Sequence, residues 1–413
     1  MTLPAGDGAP LAVASADHTG RAAWHRRTGL LPLAYLVGLV AVAFIHPLVP
    51  SWRWLAIHLL LLGAVTNAIV IWSAHFTTAV LRAPAPAGRG GAALRLVLLN
   101  VGVVGVLASG VTGQPWPGVA GAGLVFAAIL AHLLWLAARL RAALPARFAV
   151  TVHYYVAAAT ALLVGVPVGG WMLIHDDSEP RLLLFHAHVN LLGWVTLTVF
   201  GTVLTLWPTI LRTRMAEGAT TAARRALPVA LAGLALLGTG VLAWWPLLAT
   251  GGLILVAGAA VIIMGPGLES ARGKAPASFA GWSLAAAGAW LIVALGVDAW
   301  SLLAALSPAD ALDRFDAVLI PLLVGFVAQT LLGAMAYLLP MVLGGGPAAV
   351  RERTGRLDRH WAQRVSMTNA ALAVYVVAAP PYVRIATSLL ILAALLQFLI
   401  PAVRILLAAR RQP

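Results

Sequence analysis

From Leu30 almost to the end, the chain alternates long apolar runs with short polar stretches. Twelve runs stand out, at approximately 30–49, 54–77, 95–112, 119–140, 148–173, 184–208, 226–247, 249–265, 278–299, 317–341, 366–380 and 385–407. Most are about 20 residues long, enough for a helix to cross a hydrocarbon core about 30 Å thick. Backbone N–H and C=O groups cannot stay unpaired in lipid, so the runs must be helices. Neither their alternation nor their length suits a membrane β-barrel. The pattern predicts an all-α polytopic membrane protein with twelve transmembrane helices.

Composition agrees with this. Of 413 residues, 61% are hydrophobic and 10% charged, whereas a soluble domain carries roughly 25% charged residues. The 40 glycines and 25 prolines are better tolerated in membrane helices than in soluble ones. There is no cysteine, which excludes disulfides, iron–sulfur clusters and thiolate metal ligands. Residues 1–28 are polar and Gly/Ala-rich and end in "RAAWHRR". They read as a cytoplasmic tail rather than a cleaved signal peptide, followed by a single membrane domain over 29–413.

The net charge of +14 changes meaning once its distribution is followed. Taking the polar stretches alternately, 23 of the 27 basic residues fall on one side and only Arg53, Arg181, Arg314 and Arg384 on the other. That asymmetry is the positive-inside pattern. It predicts a multi-pass protein of the cell (inner or plasma) membrane with both termini cytoplasmic. The basic charge then serves topology and contact with anionic lipid, not nucleic acid.

Three runs can be laid over one another: "HLLLLGAVTNA" from His58, "HVNLLGWVTLT" from His188 and "IPLLVGFVAQT" from Ile320. Gly63, Gly193 and Gly325 align, as do Thr66 with Thr196, Thr198 with Thr330 and Pro208 with Pro340, without a gap inside the spans. The second, sixth and tenth runs are therefore expected to be equivalent members of three four-helix repeats, approximately 30–140, 148–265 and 278–407. Their parallel sense predicts a pseudo-threefold axis, and the glycines predict close helix approach around it.

Topology also sorts the histidines. His46, His58, His175, His186 and His188 fall at or near the outer face, with Asp176, Asp177, Glu179, Asp310, Asp313 and Asp316 in the neighbouring stretches. His75, His132 and His153 fall toward the inner face; His18, His25 and His360 sit in basic segments and are expected to be solvated. Neutral imidazole is a frequent ligand of copper and haem iron, and polar groups inside a membrane default to function. An interfacial histidine can equally bond to a loop carbonyl or a lipid headgroup. The spacing of His186 and His188 turns them about 200° apart on one helix, so they serve different neighbours. His58 and His188 share a repeat position. These residues predict a metal or cofactor site of His58, His186 and His188, with His46 and His175 as further metal candidates.

Twelve spans in three sets of four, cytoplasmic termini and histidines near the outer ends of spans two and six resemble the catalytic subunit of haem–copper oxidases and nitric oxide reductases. The stretch "FHAHVNLLGWVTLTVFGTVLTLWPTILRTRM" also resembles membrane segments of bacterial proteins labelled copper oxidases, some joined to a copper nitrite reductase-like domain. The chain also resembles the haem- and copper-containing membrane family of nitric-oxide stress responses. The resemblance implies an oxidoreductase scaffold holding copper and/or haem, b-type if haem, near the outer face. It also implies a soluble or fused copper redox protein as partner on that side. His58 matches the family's low-spin haem ligand, and His186 or His188 falls on the span that carries a copper ligand. Span seven lacks the family's paired histidines, and span ten has Ile320 and Gln329 but no histidine. Oxygen reduction and proton pumping of the usual kind are therefore not implied. A multi-pass transporter or permease and a non-catalytic membrane scaffold are the alternatives. Against transport stand a repeat that is not inverted and the absence of Cys or Met ladders suited to Cu(I).

Overall fold

The computed structural model describes residues 20, 22–82, 88–175, 179–377 and 380–410. These residues are almost entirely helical, and none is in a strand. Eleven helices are long and apolar enough to cross a membrane. Ten of them come first in the chain: α1 (Ala22–Leu48), α2 (Trp52–Val80), α3 (Gly90–Thr112), α4 (Pro115–Ala142), α5 (Ala149–Met172), α6 (Pro180–Leu211), α7 (Ala219–Leu242), α8 (Pro246–Gly273), α9 (Phe279–Ala304) and α10 (Pro308–Val342). Two shorter helices follow, the basic α11 (Gly346–Asp358) and α12 (Trp361–Val376). The last, α13 (Pro381–Ala409), is again of spanning length.

Twelve spans were expected, and the difference lies in α12. It covers much of the run at 366–380, but its 16 residues reach only about 24 Å at 1.5 Å per residue. Most helices also begin earlier than the apolar pattern suggests, the first and the tenth by the most. The first starts at Ala22, inside the segment read as a tail. The tenth starts at Pro308, capped by the Ser307 hydroxyl on the N–H of Asp310 at 3.1 Å, so "DALDRFDA" is helical. Asp310 in the first turn suits the positive end of a helix dipole.

Three helices sit at the centre. In α2, α6 and α10, 67% of the most apolar window is buried, against 33–56% in the others. Around them α1 packs on α2, α5 on α6 and α9 on α10. The pairs α3–α4, α7–α8 and α12–α13 form tight hairpins. Further contacts join α4 to α5, α8 to α9, and α13 back to α1.

Each central helix changes its winding partway along. Leu59–Val65, Val189–Thr196 and Pro321–Ala328 are π-helical. The hydroxyls of Thr66 and Thr196 each donate to the carbonyl five residues back, both at 2.9 Å. Within the π turns lie Gly63, Gly193 and Gly325, each facing the preceding helix. A Cβ there would come within 2.5 Å of Tyr35, 2.6 Å of Ala161 and 2.6 Å of Trp290, respectively. Glycine is what allows these helices to lie so close.

Amide locks stand beside two of the three glycines. Asn67 donates to Gly63 O and pairs with Asn100 on α3, which also accepts from the Tyr35 hydroxyl at 2.8 Å. Gln329 donates to Gly325 O and pairs with Asn369 on α12, which accepts from Trp290 Nε1 at 2.7 Å. The position between them in sequence is Leu197, which is buried.

A cavity of about 90 Å³ lies between α2, α6 and α10, on the half nearer the Arg-rich face. Its walls come in threes at the spacing of the aligned glycines, such as Val65, Val195 and Val327, or Phe76, Leu206 and Leu338. A larger cavity, about 570 Å³, lies among α6, α7, α8, α9 and α10, lined chiefly by apolar side chains from Phe326 to Met215.

Candidate functional site

The five candidate histidines do not gather in one place. His46 and His175 are exposed at the face where α2 begins, and each leans on a tryptophan. His46 meets the edge of Trp52 at 5.4 Å, and His175 stacks on Trp171 at 3.8 Å. Aromatic rings with a polar edge suit a membrane interface. Asp176 and Asp177, expected beside His175, lie outside the described residues, as does His18.

His58 and His186 form the pair that the fold brings together. His58 opens the π segment of α2, and its ring stacks on Trp54 at 3.9 Å. Trp54 in turn covers Gly110 of α3, where any Cβ would collide with the indole. His186 lies on α6 with its ring against Gly169 of α5, its Cε1 2.7 Å from where a Cβ would stand. The two imidazoles are close enough to interact electrostatically.

Their hydrogen bonds fix the tautomer. His58 Nδ1 lies 2.8 Å from Trp54 O, and His186 Nδ1 lies 3.0 Å from Gly165 O. A carbonyl only accepts, so each Nδ1 carries the proton and each neutral ring leaves a lone pair on Nε2. This is the arrangement that orients imidazole toward a metal. Asn190 tightens it from one turn further along α6, donating to His186 O at 2.8 Å while packing against Gly165.

His188 has a different use. It makes the same local bond as His58, Nδ1 to the carbonyl four residues back, at 2.7 Å to Leu184 O. Its Nε2, however, meets Asp298 Oδ2 of α9 at 2.8 Å, and its ring packs on Phe315 of α10 at 4.8 Å. Both partners of this pair are buried, each 2% exposed. With both nitrogens engaged, His188 has no lone pair to give a metal. His58 and His188 were expected to share a site; His188 instead bonds to Asp298 of α9, while His58 bonds to and stacks on Trp54 of its own helix.

Sequence spacing explains the contrast. Gly169 precedes Asp298 by as many residues as Ala161 precedes Trp290. Where His188 meets a carboxylate, the matching position beside His58 is a glycine. The ring of His186 occupies the room this leaves.

The inner histidines are also dispersed. His75 packs with His25 and Trp72, His132 meets Ser73 Oγ at 2.9 Å, and His153 is exposed. His25 was expected in solvent, yet it is 4% exposed and stacks on Trp72, because α1 continues through it. His360, by contrast, is exposed.

Among the described residues no three His, Asp or Glu side chains lie together as a metal-binding group. A site on His58 and His186 would therefore supply two protein ligands. That donor set fits a copper ion, for which imidazole is a natural ligand. It fits a haem less well, since neither cavity described above has a histidine in its wall.

Asp298, Gly165, Gly169 and Trp54 were not singled out from the sequence as parts of a site. Asp298 carried the clearest signal, a lone carboxylate in an apolar run. The chain matches no protein-family model and no curated protein, so its function is read from these side chains.

Proposed function

We propose that this chain is a membrane redox or metal protein on a scaffold like that of the haem–copper oxidases and nitric oxide reductases, holding copper near the outer face between His58 and His186. The observation that carries this reading is the pair of neighbouring imidazoles, each with Nδ1 on a backbone carbonyl and, among the described residues, no hydrogen bond on Nε2. A b-type haem is the second cofactor to test, because two imidazoles can also serve as axial ligands. A soluble or fused copper redox protein would meet the site from the outer side. The recurrence of π turn, glycine and flanking aromatic or small residue supports three four-helix units about a pseudo-threefold axis. The amide locks of the first and third units speak for the same arrangement. In this reading α12 is a twelfth crossing, short but hairpinned to α13, and the even count puts both termini in the cytoplasm with the arginines.

The large apolar cavity favours a second reading, a permease for an apolar solute or a scaffold that holds lipid. Metal analysis and an absorption spectrum of the purified protein separate the two. Copper, or a Soret band, that disappears in His58→Ala and His186→Ala while the protein still inserts is the expected result. Full metal content in both variants, or no metal in the wild type after copper loading, would return the pair to a structural role.

A further inference from the structure

At the Arg-rich end of α2, α3 and α4, three buried polar atoms lack a partner, one on each helix. Arg95 of α3 is 8% exposed, and its Nε has no hydrogen-bond acceptor. His132 of α4 is fully buried, with Nε2 on Ser73 Oγ at 2.9 Å and Nδ1 unpartnered. Thr77 of α2, one turn beyond Ser73 on the same face, is fully buried with an unpartnered hydroxyl. Trp135 links two of them: the Arg95 guanidinium lies 5.1 Å from its ring centre, and His132 stacks on it at 6.1 Å.

A buried cation inside a membrane is expected to pair, and Arg95 belongs to none of the ion pairs among the described residues. Arg95 is near enough to His132 for the two to interact electrostatically, and that neighbour brings no negative charge. Arg95 Nη1 lies 4.0 Å from where a Cβ on Gly91 would stand, so the guanidinium is turned back toward the first turn of α3. That turn has no side-chain cap and no acidic residue. Its N–H groups and the helix dipole add to the same positive end. In the tautomer that accepts from the Ser73 hydroxyl at Nε2, His132 Nδ1 is a further donor.

We propose that the Arg-rich end of α2, α3 and α4 binds a phosphate group, anchored by Arg95 and supported by Thr77 and the first turn of α3. Arg95 stands in the second turn of its helix, about 8 Å from the helix start, a depth within reach of a phospholipid headgroup. Free phosphate offers the same chemistry. The site does not depend on the metal reading.

The test uses the full chain in phosphatidylcholine nanodiscs doped with phosphatidylglycerol, with retained lipid identified by native mass spectrometry. A parallel titration adds inorganic phosphate to the protein in pure phosphatidylcholine. The wild type should retain phosphatidylglycerol in preference to phosphatidylcholine. Arg95→Gln should weaken that retention by about tenfold or more, the scale of one charge-assisted hydrogen bond. Arg95→Lys should be intermediate, Thr77→Val weaker than wild type, and Arg351→Gln, exposed on α11, unchanged. Binding of inorganic phosphate with the same dependence on Arg95 would assign the site to a soluble anion. If Arg95→Gln does not insert, Arg95→Lys and Thr77→Val carry the comparison. Equal retention across these variants, or no preference for either phosphate source in the wild type, overturns the proposal.

Discussion

His58 and His188 make the same local hydrogen bond and differ only in what meets the second ring nitrogen. For His188 that partner is a buried carboxylate, and removing one member of a buried pair typically costs about 3–5 kcal/mol. Asp298→Ala should therefore lower the thermal stability of the detergent-solubilised protein sharply, and His188→Ala should do much the same. His58→Ala should leave stability nearly intact, because its Nε2 bonds to no side chain among the described residues. A melting curve beside metal content separates the two residues, and an Asp298→Ala protein as stable as wild type would contradict the pairing. The sequence made the histidines visible as residues but not as pairs. Ring direction depends on which helix lies alongside, and spacing along one helix says only that His186 and His188 look opposite ways. The metal expectation for His188 came from its repeat position, which it shares with His58 without sharing its neighbour.

At the scale of helices, the apolar runs and the alignment of Gly63, Gly193 and Gly325 were readable directly. Each glycine does lie against a neighbouring helix. The π turns were not readable, since winding depends on packing and leaves no residue pattern of its own beyond the glycine and threonine. The same contacts make a test. A Cβ at Gly193 would stand 2.6 Å from Ala161, so Gly193→Val should push α5 from α6 at a cost of about 1–3 kcal/mol. Adding Ala161→Gly should restore part of the lost thermal stability. A tolerant Gly193→Val, with no shift in the melting curve, would mean that the helices have room to part. Helix ends were the least legible feature. Polar first turns such as that of α10 look like loop when hydrophobicity is the guide, although Ser307 caps them as helix.

For the molecule as a whole, the asymmetric arginines make a prediction that the absent cysteines make easy to test. Single cysteines placed at Arg89 and Arg356 should resist a membrane-impermeant thiol reagent in intact cells, and one at Trp52 should react. Labelling of the first two from outside would reverse the orientation and move the His58–His186 pair to the other face. The central π turns have a consequence of another kind. A π turn is an α-helix with one residue inserted, a change that shifts every following side chain around the helix by about 100°. On the proposed repeat, three independent insertions at one register would be a large coincidence. A single insertion in an ancestral four-helix segment, copied twice by duplication, explains all three. The amide locks, present beside Gly63 and Gly325 but replaced by Leu197 in the middle copy, then record a later divergence. On that repeat, the irregular backbone would be the older inheritance and the side chains hung on it the part that drifted.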